Sequence, residues 1–162
     1  MNSTEVTVSV MFSAAGDGTI LPPYVIYKAV NLYDTWTKGG PRNTRYNRSK
    51  SGWFESSSFE DWVCTIAIPY LKKQSGNKVL IGDNVASHLT LNVIELCSKN
   101  DICMIFLPIN STHLTQPLDV AFFRPLKTDW RNILEKCKFS AGKHEPSLPK
   151  HKFAEASKTT DG

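Results

Sequence analysis

Two periods of apolar residues alternate along this chain, and they mark out its elements. Val6, Val8 and Val10 alternate with Thr7, Ser9 and Met11 ahead of Phe12, so residues 5–14 read as a strand. Gly16-Asp17-Gly18 signals a turn, and residues 20–28 return as a partner strand, which predicts an opening hairpin. Pro22 and Pro23 suit an edge strand or the start of a strand. Residues 31–56 lose all periodicity and predict a long functional loop, with Trp36, Tyr46 and Trp53 set among Gly, Asn, Arg, Lys and Ser. A helix should follow. Ser57-Ser58-Phe59-Glu60 has the form of a capping box, and Phe59, Trp62, Val63, Ile66, Ala67, Tyr70 and Leu71 recur at helical spacing. Pro69 should end or kink that helix.

The second half gives the clearest unit. Residues 78–82 are short and apolar, like a buried parallel strand. Ser87 can cap a helix from His88 to Lys99, with Leu89, Val93, Leu96 and Cys97 inward, and residues 102–107 are again an apolar strand. Together they predict a βαβ unit with a right-handed crossover. After a loop over 108–117, a last helix should run from about Asp119 to Lys136, kinked or delayed by Pro125. From Lys138 the periodicity ends, so residues 1–137 read as one domain and 138–162 as a flexible tail.

Composition narrows the class. With 162 residues, one domain can bury a real core. No apolar run approaches a membrane span, and residues 1–5 carry no signal-peptide core, so a cytosolic or nuclear protein is expected. Cys64, Cys97, Cys103 and Cys137 are widely spaced within apolar segments and are expected as buried thiols. A zinc site from Cys137, His144 and His151 matches no common ligand spacing. The net charge of +4 permits a nucleic-acid partner, and its distribution is more telling. Arg42, Arg45, Arg48 and Lys50 crowd the long loop, and Arg124, Lys127, Arg131 and Lys138 share a face of the last helix. The loop cluster reads equally as solvated surface or as phosphate contacts, with Tyr46 and Trp53 available to stack on bases, whereas a stripe like that of the last helix is more often simply its solvated side.

Two carboxylates carry the candidate chemistry. Asp83 ends a strand at the carboxyl edge, where open α/β sheets place ligands, and Asp119 follows Gln116-Pro117-Leu118 with thirty-five residues between the two. A βαβ unit can bring both to one end of a sheet, close enough to share a hard cation such as Mg²⁺. The plainer roles are an Asx-turn for Asp83 and a helix N-cap for Asp119. Asn84 either orients the neighbouring carboxylate or serves the turn, and His88 is either a base or a solvated side chain.

Taken together these pieces resemble the catalytic core of the DDE superfamily endonucleases, most closely the pogo, Tigger and jerky group of transposases and their domesticated relatives. The matching segments are Ala15-Gly16-Asp17-Gly18, Leu21-Pro22-Pro23-Tyr24-Val25-Ile26, Gly52-Trp53-Phe54 and Phe59-Glu60-Asp61-Trp62. The most specific are Asp83-Asn84 with Ser87-His88, and Leu107-Pro108 with Asn110-Ser111-Thr112, followed by Gln116-Pro117-Leu118-Asp119. They are collinear over roughly residues 5–135.

The resemblance implies an α/β fold with a ribonuclease H-like mixed sheet flanked by helices. It implies two-metal cutting and joining of DNA, with Mg²⁺ or Mn²⁺ ions about 3.5–4 Å apart. Asp83 would match the family's second metal ligand and Asp119 its third, with Asn84 and His88 in support. DNA would be the partner, the nucleus the location, and a homodimer is compatible with a complete transposase. The family's first carboxylate lies on a strand ahead of residues 5–14 and has no counterpart here; Asp17 matches the turn instead. That strand is central, so the sheet is expected to lack it, the core to be N-terminally truncated and the purified chain not to nick DNA. The competing expectation is a catalytically dead, domesticated module that binds DNA or protein. A third is an unrelated metal-dependent α/β hydrolase, against which the collinear motifs speak.

Overall fold

The computed structural model describes residues 7–83, 90–108, 116–140 and 148–158, and it is mixed α/β: two small sheets flanked by helices. The chain divides into two compact units, one built from Met1–Trp53 with Ala121–Gly162 and the other from Phe54–Val120.

The first unit is organised on three strands, β1 (Val8–Met11), β2 (Tyr24–Lys28) and β3 (Arg45–Ser49). The expected hairpin forms: β1 and β2 pair antiparallel, Val8 opposite Tyr27 and Met11 opposite Tyr24. Asp17 serves the turn between them, its carboxylate accepting the Thr19 amide at 2.8 Å. Because Pro22 and Pro23 fall just before β2, neither removes a ladder hydrogen bond, and β2 can be the central strand. Its residues Tyr24 to Tyr27 are all buried.

β3 was not expected. It pairs parallel to β2, Tyr24 opposite Arg45 and Lys28 opposite Ser49, within the stretch predicted as loop. The sequence Arg-Tyr-Asn-Arg-Ser has no apolar alternation, so its strand state comes from long-range pairing. The Tyr46 ring stacks on Tyr27 with centroids 6.3 Å apart, and Asn47 donates to the Tyr24 hydroxyl at 2.8 Å. Tertiary contacts have overridden a weak local preference.

The last two helices of the chain also belong to this unit. α4 (Phe123–Ser140) is the predicted last helix, and α5 (Lys150–Lys158) is a helix where the sequence predicts flexible tail. Few apolar residues suffice because they land on aromatic neighbours. Phe153 meets Trp130 at 5.2 Å and Tyr27 at 6.0 Å, and Ala154 is fully buried. Lys150 donates to the Lys28 carbonyl at 2.6 Å while its ammonium sits 4.8 Å from the centre of the Trp36 ring.

In the second unit α1 (Ser56–Trp62) and α2 (Ile68–Leu71) are joined by a π-helical turn over Val63–Ala67. The proline explains the turn. Pro69 has no N–H and its ring crowds the carbonyl four residues back, so the helix widens just before it, the Ile68 amide reaching Val63 O. The same device recurs at Leu118–Phe122, ahead of Pro125. Neither proline ends its helix. The predicted capping box does not form: the helix starts at Ser56 with Glu55 as N-cap.

The predicted βαβ unit is present as β4 (Lys78–Gly82), α3 (Leu91–Lys99) and β5 (Ile102–Phe106), the strands parallel with Lys78 opposite Ile102 and Gly82 opposite Phe106. Thr90, rather than Ser87, caps α3, accepting the Val93 amide at 3.2 Å. Two expectations are corrected here. β4 is not buried on both faces: Val79 and Ile81 remain 44% and 59% exposed, with Ile105 on β5 47% exposed. Nor are all four cysteines buried; Cys97 is, Cys137 is half-buried, and Cys64 and Cys103 are exposed.

Candidate functional site

Parallel pairing sets the geometry around Asp83. The β4–β5 ladder runs to Gly82 opposite Phe106, and the Leu107 amide then donates to the Gly82 carbonyl at 2.9 Å. Asp83 is therefore the first residue beyond the ladder, half-buried, rooted beside Leu107 and Pro108. From those two roots leave the segments that carry the candidate chemistry. One runs toward α3, the other toward the helical turn bearing Asp119. A carboxylate at such a point is held by a rigid strand yet reaches solvent, which suits a hard oxygen ligand.

Asp119 lies within the π-helical turn Leu118–Phe122, in the same unit as Asp83. The helix already begins at Pro117, so Asp119 sits inside its first turn rather than at the N-cap. A proline at the first helical position loses no hydrogen bond, which accounts for the start. The Asp119 side chain is outside the described part, as are Asn84 and His88, which fall in residues 84–89. Among the described residues no three His, Cys, Asp or Glu side chains are grouped to hold a metal. Of the expected ligand set only the Asp83 side chain is among the described residues, half-buried at a strand end.

In the same unit the start of α3 is held by residues that sequence reasoning does not assign to the site. Glu60 on α1 accepts from the Thr90 hydroxyl at 2.7 Å and from the Asn92 side-chain amide at 2.9 Å. Those two bonds, Asn92 first and then Thr90, hold the Glu60 carboxyl below the usual carboxylate range. Glu60 was legible as a helix-start residue, but nothing local could show a bond spanning thirty positions.

The basic residues singled out as candidate DNA contacts all belong to the other unit. Arg45 and Arg48 stand exposed on β3, not on a loop, with Arg42 and Lys50 exposed on either side of the strand. Arg124, Lys127 and Arg131 are exposed on α4. β3 is the edge of its sheet, a position where charged side chains also guard against unwanted strand pairing.

Comparison with known proteins bears on the family of the chain. A family model described as DDE superfamily endonuclease matches residues 4–158, nearly the whole chain and including α5. Among curated proteins, the chain is 27% identical over 132 residues to the human "Pogo transposable element with KRAB domain", covering 76% of this chain and 20% of that protein. It is 30% identical over 124 residues to "MFS-type transporter clz9" of Cochliobolus lunatus, covering 73% of this chain and 13% of that protein. The chain thus spans a fifth or less of these curated relatives, whose names describe much longer proteins. No helix among the described residues is long and apolar enough to cross a membrane. No solved structure matches the chain at a significant level.

Proposed function

This chain belongs to the DDE superfamily endonucleases, in their pogo-like group, and from that premise we propose that it is part of a transposase-derived nuclease core acting on DNA. The carrying observation is the placement of Asp83 immediately beyond a parallel β4–β5 ladder, in one unit with Asp119. Asp83 and Asp119 would hold the divalent metal that the family depends on, Mg²⁺ or Mn²⁺, with Asn84 and His88 in support. When bound, that metal would polarise a phosphodiester and stabilise the charge that develops on it. The residues of this chain supply oxygen ligands on a rigid strand end and a helical turn. Arg42, Arg45, Arg48 and Lys50, with Arg124, Lys127 and Arg131, would meet DNA phosphates. A nuclear location follows from that substrate.

The fold belonging to this reading is ribonuclease H-like. Each sheet, taken by itself, supports it: among the described residues β1 has a strand on one side only, and so has β4. In the family a further strand pairs there and bears the first carboxylate, for which residues 1–162 offer no counterpart. The core itself would extend past residue 137 to include α5, as the family match does.

DNA binding tests the reading. Affinity for duplex DNA should fall steeply with salt, and changing Arg42, Arg45 and Arg48 together to Ala should reduce the slope of log K against log salt by about 3, roughly one for each phosphate no longer neutralised. A chain that fails to bind DNA at moderate salt, or binds it with a slope the triple change leaves intact, would count against it.

A further inference from the structure

Two rings of the basic segment, Tyr46 and Trp53, are candidates for stacking on bases, and the fold gives them opposite settings. Tyr46 is half-buried, its ring stacked on Tyr27 inside the unit. Trp53 is 68% exposed, and no ring of a described residue packs against it. We infer that Trp53, with Lys28 and Lys50 beside it, forms a binding subsite for an unpaired nucleotide, the indole taking the base and the ammonium groups its phosphates. The inference deepens the reading of the chain as acting on DNA and rests on it.

The three residues leave from one end of one sheet. Lys28 and Ser49 are paired as the last residues of β2 and β3, so Lys50 emerges beside Lys28. The Gly52 backbone lies against the root of Lys28: a Cβ added to Gly52 would fall 2.8 Å from Lys28 Cβ. Trp53 is the next residue. Both lysines are exposed, and neither is ion-paired among the described residues. Glu55, the nearest acid along the chain, stands at the N-cap of α1 in the other unit.

The ring is also held at its root. Ser49, 5% exposed, accepts the Gly52 amide at 2.9 Å and donates its proton to the Trp53 carbonyl at 2.9 Å. The Trp53 amide donates to Ser51 Oγ at 3.1 Å, and Ser9 Oγ donates to the Gly52 carbonyl at 2.7 Å. Singly exposed apolar residues are ordinary and need no ligand. Trp53 differs because a buried serine and its neighbours fix the backbone that presents the ring, and two cations flank it. A ring fixed in this way has little beyond two χ angles to lose on binding. Paired DNA keeps its bases stacked within the helix and offers phosphates without a free base face. An unpaired base has that face, and stacking on indole tolerates any base.

The test is fluorescence anisotropy with a short labelled oligothymidylate and, separately, a labelled duplex. Trp53→Leu, which keeps an apolar side chain but no π face, should weaken single-strand affinity about 10-fold and duplex affinity by less than about 2-fold. Trp53→Phe should recover most of the loss. Lys28→Ala and Lys50→Ala should each lower the single-strand slope of log K against log salt by about 0.7. Single-strand affinity that Trp53→Leu leaves unchanged, or reduces no more than it reduces duplex affinity, would overturn the inference and leave the DNA reading standing. A dimer of the parent chain that Trp53→Leu dissociates, with single-strand affinity unaltered, would overturn it in favour of a contact between copies. A parent chain that binds neither oligonucleotide would sink the DNA reading and the subsite together.

Discussion

Gly52 shows how one residue of the Gly-Trp-Phe segment is required by backbone geometry. Its φ of +81° lies in the left-handed region, and a Cβ there would come within 2.8 Å of Lys28 Cβ and 3.2 Å of Thr7 Cγ2. Its amide donates to Ser49 Oγ at 2.9 Å and its carbonyl accepts from Ser9 Oγ at 2.7 Å. Gly52→Ala should therefore destabilise the chain by about 2 kcal/mol, read as a lower urea midpoint at unchanged slope. A midpoint equal to that of the parent would show that the turn relaxes freely. Asp83 was legible because a strand end followed by Asp-Asn is a local signal. Arg45 and Arg48 were legible as exposed cations but not as strand residues, since the partner that orders them lies twenty-one positions upstream. Glu60 was misassigned for a related reason: a Ser-x-x-Glu spacing is local, whereas its bonds to Thr90 and Asn92 are not.

Among the elements, α5 is the one whose docking is most open to test. Phe153 is half-buried between Tyr27 and Trp130, so Phe153→Ala should cost about 2 kcal/mol, less than for a fully buried ring, and change the tryptophan fluorescence of the native state. Unaltered stability and emission would mean that α5 adds nothing to the unit. The sequence concealed this helix because it buries only small residues, Ala154 and Ala156, beside a single aromatic. The βαβ unit, by contrast, was read almost in full, since β4, α3 and β5 follow one another and pair locally. The helix that could have stopped at Pro69 continues, and it and the helix of Pro125 each carry a π-helical turn ahead of the proline, an adjustment that hydrophobic periodicity does not encode.

At the scale of the molecule, two small sheets and their helices make a mixed α/β chain of the DDE superfamily, and the proposed chemistry depends on two carboxylates from one unit acting together. The order of motifs was legible because the strand-end aspartate, the βαβ crossover and the helical turn after Pro117 are collinear along the chain. The exposed apolar residues of β4 and β5 were not legible, because an isolated apolar run gives no sign of which face is covered. The most direct measurement is a Mn²⁺ titration followed by electron paramagnetic resonance on the parent chain, Asp83→Asn and Asp119→Asn. A shared site requires that each substitution weaken binding at least about 10-fold, and that the two together do little more than either alone. Mn²⁺ affinity left unchanged by Asp83→Asn or by Asp119→Asn would contradict a shared metal centre.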